Sequence, residues 1–474
     1  MTKCKSYIVI VYLSLLVAAC GDGGGDTVKP DDKTTSPIVS ANPPSGATDV
    51  PVDAVITATF REDMDSSTVN NTTFTLHYNP PVSGTVTYDK ITRIATFIPD
   101  SLLALATTYT ATITTGAKNS SGTPLASSHS WSFTITPTFS LIALSLPVTG
   151  QTSSYAAGDD GAIQSGVVWP SPRFTDHGDG TITDELTGLM WLKDGACLGY
   201  QEWNFGSFRE VDSLNYDPQG RGCQDYTGRY TDWRLPNVNE LESLVHAGRS
   251  NTATWLNSVG FTGVQALDYW SSTTNVHNPG QAWSVNMWTG FVDPDDKGGA
   301  RHIIAVRGTS TGPARVWKTG QVTSYRPGDD GDLQKGERWP ALRLTTAYDT
   351  DLLTGLVWMH RANTPTQVPC TGGRKTWQEA LDYVACLNAQ GYGGASNWRL
   401  PNRKELYSLI DRSQMNTPLP AGYGYQDVML ERYWTSTTYA YDRGEAWLVS
   451  MRYAWADPAA KTSTAYVWPV RDLP

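Results

Sequence analysis

Between residues 37 and 136, apolar and polar side chains alternate in short runs. Ile56, Ala58 and Phe60 are spaced by threonines, and the same rhythm returns at Val82, Val86 and Tyr88, at Tyr109, Ala111 and Ile113, and at Trp131, Phe133 and Ile135. A period of two marks strands with one buried face. Turn-forming residues separate the runs, so this segment is expected to be an antiparallel β-sandwich.

The pattern changes past about residue 143. Asn237 and Glu240, and again Asn402 and Glu405, take the N-cap and N3 positions of a capping box. Behind them Leu241 and Leu244, or Leu406 and Leu409, form the apolar face of a short helix. Thr376 and Glu379 predict a further helix that buries Trp377, Leu381 and Val384, with Ser207 and Glu210 as the expected equivalents upstream. Trp283, Val285 and Met287 alternate as a strand, as do Trp447, Val449 and Met451. Few helices, short strands and long loops predict an α+β arrangement.

This half of the chain is a duplication with a period of about 165 residues. Thr149-Gly150-Gln151 returns as Thr319-Gly320-Gln321, and Gly158-Asp159-Asp160-Gly161 returns as Gly328-Asp329-Asp330-Gly331. Trp233-Arg234-Leu235-Pro236-Asn237 recurs at 398–402, and Tyr269-Trp270-Ser271-Ser272-Thr273-Thr274 recurs as Tyr433-Trp434-Thr435-Ser436-Thr437-Thr438. Val306-Arg307 closes the first copy and Val470-Arg471 the second. Copy 1 is taken as 143–313 and copy 2 as 316–474.

The N-terminus carries Lys3 and Lys5, then an apolar run from Ile8 to Val17. A bilayer needs about 20 apolar residues, so this run is too short to span one. It has the three-part layout of an export signal over residues 1–19. Val17-Ala18-Ala19-Cys20 resembles the lipobox of bacterial lipoproteins. The resemblance implies cleavage before Cys20, acyl chains on that residue and a lipid-anchored protein. Each buried methylene contributes about 0.8 kcal/mol, so several chains on one residue hold firmly. Gly21 then implies the outer membrane, with the periplasmic and cell-surface sides both open. Residues 20–36, rich in Gly, Asp, Lys and Thr, cannot bury a core and read as a flexible tether.

Composition narrows the function. Only 17% of residues are charged, while Trp (18) and Tyr (23) are abundant. A net charge of −10, concentrated in copy 1, argues against nucleic acid as a partner. Cys4 leaves with the signal and Cys20 takes lipid, which leaves four cysteines. Cys197 and Cys370 fall at similar places in the two copies, each with one later partner. In an oxidising compartment the expected disulfides are Cys197–Cys223 and Cys370–Cys386.

Asn42-Pro43-Pro44-Ser45-Gly46-Ala47-Thr48-Asp49-Val50-Pro51, Phe60, Met64-Asp65, Thr107-Thr108-Tyr109-Thr110 and Trp131-Ser132-Phe133 resemble bacterial Ig-like domains of surface-layer proteins. Such modules are usually spacers. The Trp-Arg-Leu-Pro-Asn segment, the Tyr-Trp-Ser-Ser-Thr-Thr segment and the closing Val-Arg strand resemble the Lcl C-terminal domain family, named from a collagen-like bacterial adhesin. That resemblance implies two C-type lectin-like folds, and the family's adhesin binds sulfated glycosaminoglycans. The whole is then multidomain: an all-β Ig-like sandwich followed by two α+β lectin-like domains.

A residue that both copies need should appear twice. His177, His246, His277, His302 and His360 have no counterparts, and no pair of histidines has metal-ligand spacing, so no enzyme is expected. A reactive thiol pair, as in the formylglycine-generating enzymes of this broad fold, would need Cys223 and Cys386 to align, and they do not. Asp159, Asp160, Asp329 and Asp330 in the repeated Gly-Asp-Asp-Gly could ligate Ca²⁺, which takes six to eight oxygens. A β-turn is the favoured reading there, and no cofactor is expected. The aromatic and charged residues that differ between copies are the ligand candidates: Trp288 and Asp293 in copy 1, and Arg443, Arg452, Tyr453 and Trp455 in copy 2. Aromatic faces stack on sugars or anchor proteins. The expected function is binding or adhesion to glycan or protein ligands; the alternative is a non-adhesive envelope scaffold that contacts proteins of the same cell.

Overall fold

The computed structural model describes residues 38–135 and 144–472, apart from 51, 53, 79–80, 100–102, 217–222, 224, 229, 338–342, 345–347, 352, 416–417 and 421–422. The export segment, Cys20 and the tether lie outside the described residues. No helix among the described residues is long and apolar enough to cross a membrane. The chain forms two compact units.

The first unit holds β1 (Ile38–Asn42), β2 (Ile56–Phe60), β3 (Phe74–His77), β4 (Gly84–Asp89), β5 (Ile94–Pro99), β6 (Thr108–Ile113) and β7 (His129–Thr134). They pair as two sheets, β1-β2-β5-β4 and β3-β6-β7. The period-two pattern does what was expected of it. Ile56, Ala58, Phe60, Tyr109, Ala111, Ile113, Trp131 and Phe133 are all buried. Phe74 closes the core across the sheets, with its ring 5.8 Å from Phe97 and 5.9 Å from Trp131. The alternate residues of β6 and β7 form a hydroxyl ladder, Thr108–Thr134, Thr110–Ser132 and Thr112–Ser130, at 2.8–2.9 Å.

The second unit contains both copies. Copy 1 supplies α1 (Asp160–Ile163), β8 (Phe174–Asp176), β9 (Thr181–Asp184), β10 (Leu189–Leu192), β11 (Tyr200–Glu202), α2 (Phe208–Tyr216), α3 (Val238–Glu242), α4 (Thr252–Ser258), β12 (Asp268–Thr274), β13 (Gln281–Asn286), β14 (Val292–Asp296), β15 (Ala300–His302) and β16 (Val306–Arg307). Copy 2 supplies α5 (Asp330–Leu333), β17 (Arg343–Leu344), β18 (Tyr348–Thr350), β19 (Leu356–Met359), α6 (Trp377–Ala389), α7 (Arg403–Ser408), β20 (Arg432–Thr438), β21 (Glu445–Ser450), β22 (Ala456–Ala460) and β23 (Val470–Asp472). Each copy closes its own four-stranded sheet, β16-β10-β9-β8 or β23-β19-β18-β17. The remaining strands make one eight-stranded sheet, β11-β15-β12-β13-β14-β22-β21-β20. The copies meet in its middle, where Val292 pairs antiparallel with Ala456.

The repeated motifs explain themselves in this frame. Trp233 and Trp398 are buried, and Asn237 and Asn402 complete capping boxes with Glu240 and Glu405. Each of these glutamates also pairs with the motif's arginine, Arg234 or Arg399, at 2.5–2.6 Å. The Tyr-Trp-x-x-Thr-Thr strands break register between Trp270 and Thr274, and between Trp434 and Thr438. Such an irregularity re-aims side chains. Here it turns Thr273 and Thr437 onto the N-termini of α3 and α7, where they accept from the amides of Val238 and Arg403.

One helix start differs from its expected position. Thr376 and Glu379 do cap α6. In copy 1 the cap position is Glu202, followed by a π-helical turn Trp203–Ser207 that leads into α2. Trp203 is the true counterpart of Trp377: their indoles donate to Ser271 O at 2.7 Å and Thr435 O at 2.9 Å. Ser207 is buried inside the π-turn with its hydroxyl on Glu202 O, and Glu210 bonds to Arg209. A Ser-x-x-Glu spacing without a cap misplaced the start by five residues. Disulfides join Cys197 to Cys223 and Cys370 to Cys386, as the cysteine positions predicted.

Candidate functional site

The junction between the copies is built from the opening segment of each one. In the first arm, Thr149 O accepts from Ala247 N of copy 1, while the Gln151 amide donates to Thr438 O (2.8 Å) and accepts from Thr438 N (3.0 Å) of copy 2. The second arm mirrors this: Thr319 O accepts from Arg412 N of copy 2, and Gln321 pairs in the same way with Thr274 of copy 1. Each arm therefore spans both copies. Asn402 Nδ2 also reaches Ser165 O, and Asn237 Nδ2 reaches Lys335 O.

The Gly-Asp-Asp-Gly turns lie on these arms. Asp159 and Asp329 cap α1 and α5. Each also accepts from the amides of Tyr155 and Ala156, or of Tyr325 and Arg326. Asp160 and Asp330 are buried, and burial pushes each up to about 7. Asp160 Oδ2 accepts from the hydroxyls of Thr149 (2.6 Å) and Thr437 (2.7 Å); Asp330 Oδ2 accepts from Thr319 (2.6 Å) and Thr273 (2.7 Å). The last glycine of each motif cannot be replaced, because a Cβ at Gly161 or Gly331 would stand 2.0 Å from the carbonyl of Ser153 or Thr323. Among the described residues no group of three or more His, Cys, Asp or Glu is arranged to hold a metal ion.

Two lysines clamp the arms from outside. Lys297 Nζ lies 3.8 Å from the Trp203 ring and 5.1 Å from that of Tyr325, and it donates to Thr274 Oγ1. Lys461 repeats this with Trp377 at 3.9 Å, Tyr155 at 5.2 Å and Thr438 Oγ1. Burial holds both below the usual lysine range, Lys297 at about 8.

The aromatic candidates sit at the two ends of the central seam. Trp288 meets Tyr441 edge-on at 5.8 Å, one residue from each copy, and the two are 43% and 60% exposed. At the other end Tyr453, 42% exposed, faces His277 of copy 1 at 6.4 Å and Trp455 at 5.0 Å, with Arg452 5.2 Å from its ring. Arg452, Tyr453 and Trp455 thus come together, although Trp455 is packed partly into the core. Asp293 does not join Trp288. It lies on β14 inside the seam, where burial, then Asp457 and Asp295, raise it to about 6. Arg443 stands over Tyr155 of the first arm at 5.7 Å. Sequence reasoning missed Tyr441, His277, Gln151, Gln321, Lys297 and Lys461. The repeats Thr-Gly-Gln and Asp-Pro-x-x-Lys were the signal for the last four.

The model of the Lcl C-terminal domain family matches residues 180–307 and 348–471, more than half of the chain, and a bacterial Ig-like domain model matches 32–135. The arms that carry Gln151, Asp160, Gln321 and Asp330 lie outside the matched Lcl segments. Among curated proteins none matches this sequence. Among solved structures, domains 1–6 of the surface layer protein SbsC are 17% identical with a TM-score of 0.18, over 23% of this chain and 16% of that one. The copper resistance protein PcoC of Escherichia coli is 19% identical (TM-score 0.18) over 21% of this chain and 97% of its own. CopC of Methylosinus trichosporium OB3b is 15% identical (TM-score 0.19) over 22% and 95%.

Proposed function

This chain belongs to the Lcl C-terminal domain family, and from that premise we propose that it is a non-enzymatic binding protein of the bacterial cell envelope. In this reading a lipid on Cys20 anchors it in the outer membrane, and the two copies, lectin-like in fold, act as one unit on a glycan or protein ligand. The observation that carries the reading is the shared aromatic pair Trp288–Tyr441, exposed and contributed half by each copy. Large, rigid aromatic faces are the residues that dominate contact energies at binding surfaces. Arg452 and His277 beside Tyr453 give the opposite end a different, more cationic chemistry.

The test is a glycan array and a surface-protein panel probed with the intact chain, then with Trp288→Ala and Tyr441→Ala. Both residues are exposed, so the variants keep the wild-type melting temperature and lose at least tenfold in affinity, as truncation of an aromatic anchor does. Binding that is unchanged in both variants would sink the aromatic site. A single dominant neighbour from the same cell in crosslinking would instead favour an envelope scaffold. Labelling with a fatty acid that is lost in Cys20→Ser tests the anchor.

A further inference from the structure

The two carboxyls at the heart of the arm contacts are unusual in their company. Asp160 and Asp330 are each 2% exposed and make no ion pair among the described residues. Each receives one hydroxyl from its own arm and one from the strand of the opposite copy. Asp160 Oδ1 has no hydrogen-bond partner among the described residues. The charged groups that face Asp160 are Asp159 on its own turn and Glu405 on α7, which Arg399 already pairs; Lys461 beyond β22 acts on Asp159, and its ammonium is bonded to Thr438. Facing Asp330 are Asp329, Glu240 paired with Arg234, and Arg412 stacked on Trp283; Lys297, bonded to Thr274, acts on Asp329. The acidic neighbours oppose a second negative charge, and the cations are engaged elsewhere.

We propose that Asp160 and Asp330 are proton-operated catches: neutral while the arms bridge the copies, and driving arm release when they ionise. The hydroxyls of Thr149, Thr437, Thr319 and Thr273 stabilise the ionised form, but burial outweighs them in both sites. An arm that lifts off places its carboxyl in water, where it returns to the ordinary value of 3.8. The open form therefore sheds a proton that the closed form keeps. Linkage fixes the sign: arm opening becomes about tenfold more favourable per catch for each pH unit between roughly 5 and 7, and levels off above that. Holding the arms at mildly acidic pH and loosening them at alkaline pH would make the shared ends of the seam pH-dependent as well.

Amide hydrogen exchange of the full chain tests this, after correction for the intrinsic exchange rate. Peptides covering 149–164 and 319–334 are expected to lose about tenfold in protection per pH unit from 5 to 7 and little more up to 8.5. Those covering β6 and β7 of the sandwich, which contain no such carboxyl, stay level. In Asp160→Asn, a neutral mimic, the profile of 149–164 flattens while 319–334 keeps its slope. A slope that persists at 149–164 in this variant, or a wild-type profile that is level from pH 5 to 7, overturns the proposal. The wild-type titration decides on its own if the variant does not fold.

Discussion

Glu242 is the most consequential single carboxylate of the junction. It lies on α3 of copy 1, 2% exposed, and meets two cations of α7 from copy 2. Lys404 Nζ is 2.7 Å from its Oε2, and Arg403 Nη1 is 3.3 Å from its Oε1. Both cations are buried, as is Arg412, so Glu242 faces more positive charge than it can balance alone. Aromatic faces carry part of the remainder: Arg403 lies 4.1 Å over Trp447 and Arg412 lies 3.8 Å over Trp283.

Glu242→Gln keeps the shape and removes the charge. Breaking a buried pair costs about 3–5 kcal/mol, because the partner charge is left uncompensated. The two cations respond differently. Burial already holds Lys404 down at about 8, so setting it down neutral at pH 7 costs only about 1.4 kcal/mol. Arg403 stays charged and accounts for the rest. Calorimetry should show a melting temperature lower by about 6–10 °C at pH 7, taking about 2 °C per kcal/mol for a unit of this size. A lysine whose folded value is depressed contributes stability that grows as pH rises above that value. The variant's Lys404, lower still, begins that gain before the wild type does. The deficit should therefore shrink by about 1.4 kcal/mol between pH 7 and pH 8, and the two curves should run parallel above that. A deficit below about 1 kcal/mol at pH 7, against the expected range for a broken buried pair, or one that does not change between pH 7 and 8, refutes this account.

Two further outcomes follow from the same frame. Cys370→Ser with Cys386→Ser opens a loop of 16 residues and should cost about 2–4 kcal/mol in denaturant unfolding followed by tryptophan emission; a loss under about 0.5 kcal/mol would mean the α6 packing holds that loop unaided. His246 is wedged between Trp169 and Trp255 at 4.8 and 4.7 Å, and burial pushes it down to about 3. Its neutral form stabilises the fold above the ordinary value of 6.5, and that contribution is lost as pH falls toward 3. Between pH 6 and 4 the wild type should lose about 1.4 kcal/mol per unit more than His246→Phe; equal acid sensitivity in the two proteins would show that the ring does not titrate on unfolding.

Much of the fold was legible because its signals are local. Period-two alternation placed the sandwich strands, and Asn-x-x-Glu at 237–240 and 402–405 marked two helix starts that the structure places as capping boxes. The disulfides followed from position within the repeat. What stayed hidden depends on distance in the sequence. Gln151 and Thr438 are 287 residues apart, and nothing near either one announces the other. The π-turn at Trp203–Ser207 hid a helix start because an extra residue per turn breaks the spacing that sequence patterns rely on. Gly-Asp-Asp-Gly was visible as a repeat, yet its purpose was not. A turn, a metal loop and a catch share the same four residues until Thr273 and Thr437 are seen against them.

The repeat also divides the junction into what is the same in both halves and what is not. The glutamines, the catch aspartates, the bulge threonines and the clamping lysines occur twice and lie inside, where each arm needs the same partners on the other copy. The surface ends of the seam differ: Trp288 stands where copy 2 has Arg452, and His277 where copy 2 has Tyr441. A pair of identical subunits with this interior would carry two identical ends, because a two-fold axis repeats every contact. Fusing the copies into one chain removes that constraint while keeping the reciprocal bracing. One end can then offer an aromatic platform and the other a cationic aromatic cluster. Neither end is complete in a copy taken alone, since Tyr441 faces Trp288 and His277 faces Tyr453 from across the seam. Under the proposed function, the unit of recognition is the braced pair.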